Sequence, residues 1–68
     1  MLNTEQLTQV VIRSVELQRL NYGYRVGQAL FNALEDLHPD EANRVRGTES
    51  DPFYNDSKID SFFQTLSQ

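Results

Sequence analysis

Sixty-eight residues with ten acidic and six basic side chains give a net charge of −4, and a chain this size buries only about 60% of the surface its unfolded form exposes. The lack of cysteine excludes disulfides and thiolate metal sites, and a single histidine, His38, leaves a zinc ligand set out of reach. A negative field repels phosphate backbones and anionic lipid, no stretch approaches the roughly 20 apolar residues of a membrane span, and 38% hydrophobic content favours folding over disorder.

One helical domain over residues 1–68 is therefore expected, in the cytoplasm, since no basic-then-apolar leader pattern is visible. The charge is uneven. Residues 1–34 hold two carboxylates against three arginines, and residues 35–68 hold eight against three basic side chains.

The first helix is predicted over about 4–20. Asn3 can cap it while Gln6 reaches back as in a capping box, and Leu7, Val10, Val11, Val15 and Leu17 fall within roughly 160° of one face. Ile12 and Leu20 lie off that stripe and are candidates for a protein-partner or homodimer contact, which a domain this small would use to gain stability. Asn21-Tyr22-Gly23 breaks the pattern, with Gly23 suited to a left-handed cap.

The second helix, about 24–37, carries the clearest stripe, with Val26, Leu30, Leu34 and Leu37 at its centre. Gly27 costs about 1 kcal/mol relative to alanine in a helix interior, which predicts close approach of another helix or of an aromatic ring there. His38-Pro39 ends that helix and Pro39 opens a short third one, about 39–46, with Asp40 and Glu41 at its positive end, Ala42 and Val45 inward, and Gly47 as its cap. After an irregular stretch a last helix is predicted over about 57–66, with Ser57 and Asp60 in capping-box spacing and Ile59, Phe62, Phe63 and Leu66 on one face. The fold class is thus a compact all-α bundle of three longer helices and one short one.

No catalytic residue stands out. Glu35, Asp36, His38, Asp40 and Glu41 crowd one corner, but sequence neighbours on a corner point in different directions, whereas acid/base or hard-metal chemistry needs convergence. No phosphate loop or nucleophile elbow is present, and an enzyme, a cofactor and a metal are not expected. Arg19, Tyr22, Tyr24 and Arg25 interleave cations with aromatic rings and form the alternative, nucleic-acid-binding candidate, although two arginines fall well short of the phosphate contacts that give substantial affinity. A further alternative is that the acidic second half imitates nucleic acid.

The stretch from Arg46 to Asp56 is the most unusual. Arg46 and Asp51 can pair across it, Thr48 and Asp51 can bond nearby amides, Phe53 can close the end of the core, and Tyr54 can stand outside as a binding anchor. Within Tyr24–Asp56, the pairs Gly27-Gln28 and Ala42-Asn43 and the runs Arg46-Gly47-Thr48 and Asp51-Pro52-Phe53 resemble a pattern of small proteins from tailed bacteriophages, prophages and some bacterial genomes. The resemblance covers about half the chain, leaves the first helix outside, and implies no particular activity. The expected function is a protein-interaction module of phage-derived type, its partner of unknown identity, with Arg46, Asp51, Phe53, Tyr54, Ile12 and Leu20 as the binding candidates.

Overall fold

A computed structural model describes residues 1–68 as four α-helices and one 3₁₀ turn, without strands. The first helix, α1, spans Thr4–Leu20. The Gln6 amide donates to Asn3 Oδ1 at 2.8 Å and the Asn3 amide to Gln6 Oε1 at 2.9 Å, so the capping box forms and satisfies two otherwise free donors. At the other end, both the amide and the side-chain nitrogen of Asn21 donate to Leu17 O. Gly23 has no positive φ, so the expected glycine cap is absent, and Asn21 instead turns its side chain back onto a carbonyl of the last turn.

The buried side of α1 is rotated from the expected one. Val10 and Ser14 are buried and Leu7 and Leu17 half-buried, whereas Val11 and Val15 face solvent, as do Ile12 and Leu20. Ser14 is tolerated inside because its hydroxyl donates to Val11 O at 2.6 Å.

The second helix, α2, spans Val26–Leu37 and supplies more of the core than any other element, with Ala29, Leu30, Phe31, Ala33 and Leu34 buried. Its ends do not follow the predicted stripe: Val26 and Leu37 are its first and last residues and both are exposed. Gly27 is buried as expected, but what approaches it is the loop: a Cβ added there would overlap Pro52 O and lie 2.7 Å from Asp56 Oδ1.

His38 separates α2 from α3, Pro39–Val45, with Pro39 at the start of α3, Ala42 and Val45 buried, and Gly47 at φ 75° just beyond the helix end. The 3₁₀ turn, Asp56–Lys58, leads into α4, Ile59–Ser67. The Ser57–Asp60 box does not form. Asn55 instead accepts from the Ser57 amide at 2.9 Å, and Asp56 is used elsewhere. Phe62 and Leu66 of α4 are fully buried, and Ile59 and Phe63 half-buried. The Leu2 amide donates to Leu66 O at 2.6 Å, binding the segment before α1 to the last helix. No helix is long and apolar enough to cross a membrane.

Glu41 ties α3 to the chain start. Hydrogen bonds from the N-terminal ammonium and then from Arg44 hold its carboxyl below the usual glutamate range. A folded-state value below the unfolded one means the contribution to stability is present above the ordinary glutamate range and is lost as pH falls through the folded value. Glu41→Gln is accordingly expected to lower the Tm at about pH 7 and to make less difference as the pH falls below the ordinary glutamate range. Equal loss across that pH span in thermal melts would show that these bonds do not act through the charge.

Candidate functional site

Arg46 to Asp56 is the one long connection in the chain, and its course is set by short-range polar bonds. The positive φ of Gly47 turns the backbone after α3, and Asp51 then accepts from the Gly47 amide at 2.8 Å and from the Phe53 amide at 2.9 Å. Thr48 Oγ1 donates to Val45 O at 2.6 Å and accepts from the Ser50 amide at 3.1 Å. Ser50 bonds Thr65 of α4 at 2.7 Å, and Pro52 is fully buried against Gly27. The loop is therefore closed by its own side chains and pressed onto α2, which fixes the direction in which Phe53 and Tyr54 project.

Asp56 completes this closure from a distance. The start of α2 has no side-chain cap of its own, and Asp56 Oδ1 accepts from the Gly27 amide at 3.0 Å and from Arg25 Nη1 at 3.0 Å. Arg25 also donates to Phe53 O. One carboxylate thus meets both a helix N-terminus and a guanidinium.

Between the loop and α2 lies an open cleft of about 390 Å³ lined by Phe31, Asn32, Glu35, Arg46, Asp51, Phe53 and Tyr54. Phe31 and Phe53 meet edge to face with ring centroids 5.9 Å apart, and Phe53 meets Tyr54 at 4.7 Å. The guanidinium of Arg46 lies 5.3 Å from the Phe31 ring centre and is bonded to Glu35 and to Asn43 Oδ1. The expected Arg46–Asp51 pair is not made, because Asp51 is taken up by backbone amides while Arg46 reaches back across α2. Phe53 is half-buried against the core and Tyr54 is 85% exposed, so the two packed rings run from the inside of the cleft to its rim.

The structure thus brings Arg46, Asp51, Phe53 and Tyr54 together at one cleft, and it places Ile12 and Leu20 on α1, apart from them. Sequence reasoning missed Phe31, Asn32 and Glu35 as lining residues. The available signal was Gly27: Phe31 follows it by one helical turn on nearly the same face, where a loop packed on the glycine must pass.

The Arg19, Tyr22, Tyr24 and Arg25 group is less coherent. Tyr22 is 99% exposed, Tyr24 is half-buried, and Arg25 is engaged by Asp56 and the Phe53 carbonyl, which leaves Arg19 as the group's one unpaired cation. At the corner between α2 and α3, Glu35, Asp36 and Glu41 are drawn to three different cationic partners, Arg46, Arg13 and Arg44. What the cleft offers chemically is aromatic surface edged by two carboxylates and one arginine. No family model, curated protein or solved structure matches the chain, and the reading of the cleft rests on these residues.

Proposed function

We propose that the protein is a small interaction module, an accessory factor of phage-derived type acting in the cytoplasm, that docks a segment of a partner protein in the cleft between α2 and the 46–56 loop. The observation that carries this reading is Tyr54, 85% exposed yet braced by Phe53 at the rim of an aromatic cleft. An exposed tyrosine on a rigid support adds contact area at low entropic cost, and tyrosine and arginine are enriched among residues that dominate binding energy. The occupant of best fit is a basic, apolar-anchored segment: Phe31, Phe53 and Tyr54 offer the apolar wall, and residues 35–68 carry eight carboxylates against three basic groups.

A direct test is titration with a short peptide of alternating lysine and aromatic residues, followed through the ring resonances of Tyr54 and Phe53. Tyr54→Ala is expected to weaken binding by about 30-fold, the effect of losing roughly 2 kcal/mol at a hot spot, with the Tm unchanged. Capture from cell extract should then show partners retained by the parent and lost from Tyr54→Ala. Identical capture by both proteins, with silent aromatic signals in the titration, would remove the cleft as the docking site.

A further inference from the structure

The outer side of α1 contributes no buried residue to the core. Glu5, Thr8, Ile12, Val15 and Arg19 succeed one another at intervals of three, four, three and four residues, the spacing of a helix–helix seam, and all five are exposed. Val11 flanks the seam on one side at 41% exposure, and Leu20 lies about 80° round from Ile12 on the other. The helix is therefore apolar on two sides, one against the core and one bare. Burial of the seam strands no polar group at Thr8, whose hydroxyl already donates to Thr4 O at 2.9 Å.

The charges on the seam indicate what covers it. Arg13 is paired with Glu16 and Asp36, whereas Glu5 and Arg19 take part in none of the chain's ion pairs. These two stand at equal distances on either side of Ile12. A two-fold axis through Ile12 sets each Glu5 against Arg19 of a second copy, Ile12 against Ile12, and Val15 beside Thr8 and Gln9. A parallel arrangement would set Glu5 against Glu5 and Arg19 against Arg19. Overall charge agrees: the chain carries −4, but residues 1–34 hold three arginines against two carboxylates, so two copies meeting through α1 do so over their least negative part.

We infer that the protein forms an antiparallel two-fold dimer through the Glu5–Thr8–Ile12–Val15–Arg19 side of α1. A contact limited to one helix per copy lies below the roughly 1,200 Å² of standard interfaces, so the dissociation constant is expected on the order of 100 µM. No residue lining the aromatic cleft comes from α1, so the dimer presents two independent clefts, and its existence does not depend on what those clefts bind.

Cross-linking tests the geometry without ambiguity, because the chain contains no cysteine of its own. Under mild oxidation Ile12→Cys should form a disulfide-linked dimer. Glu5→Cys alone should not, since each copy stands opposite residue 19 and the two lie about 21 Å apart along the helix axis. A mixture of Glu5→Cys with Arg19→Cys should cross-link. Self-linking of Glu5→Cys, or no linking of Ile12→Cys, would overturn the antiparallel arrangement. Sedimentation of the parent should show average mass rising from monomer toward dimer up to about 1 mM, and Ile12→Glu should remain monomeric there with the helical signal of the parent. A constant monomer mass for the parent, or a dimer that survives Ile12→Glu, would overturn the proposal itself.

Discussion

Replacing Leu34 with alanine is expected to cost about 2–5 kcal/mol of stability, the range observed when a buried leucine is truncated and the surroundings only partly collapse. Leu34 is fully buried in the middle of α2, within one cluster that also contains Val10, Val45, Phe62 and Leu66 from the other helices. Truncation therefore opens a gap in a core to which all four helices contribute. Natural domains have only about 5–15 kcal/mol in total, and a chain of this length belongs at the low end, so the variant should retain at most about 3 kcal/mol. Denaturant titration measures the effect directly. A midpoint equal to that of the parent would mean that Leu34 is not central to the core.

Gly27→Ala is expected to destabilise as well, against the ordinary rule for helices. In an unobstructed helix the change gains about 1 kcal/mol. Here the new Cβ meets Pro52 O and comes within 2.7 Å of Asp56 Oδ1, both parts of a loop fixed by several hydrogen bonds. Overpacking of a fixed neighbour costs typically about 1–3 kcal/mol, and the Asp56 bond to the Gly27 amide is strained at the same time. Chemical denaturation should show a net loss, and the Phe53 and Tyr54 resonances should broaden as the loop lifts. A more stable variant would place the loop away from α2.

The two substitutions also mark how far sequence reasoning reaches. The capping box at Asn3 and Gln6 and the break at His38-Pro39 were legible because each is decided within a few residues. The buried face of α1 was not. With Leu7, Val10, Val11, Ile12, Val15 and Leu17 spread widely around it, periodicity permits several orientations, and the position of α2 chooses the one that buries Ser14 and exposes Val11 and Val15. In the same way Asp51 and Arg46 look like partners in sequence, yet nearby amides compete for the first and Glu35 for the second. The cleft was half legible: the loop residues stood out by composition, whereas Phe31 entered it only through packing between α2 and the loop.

The carboxylate of Asp56 has a bearing on how the chain acquires its structure. The first turn of α2 depends on an acceptor 29 residues further along, so during synthesis that turn is exposed to water until the final third of the chain emerges. Early nucleation is consequently favoured in α1 and the middle of α2, with the loop, α4 and the opening turn of α2 arriving together in a late step. A chain cut before residue 56 loses more than its last helix, because the second helix then frays from its beginning.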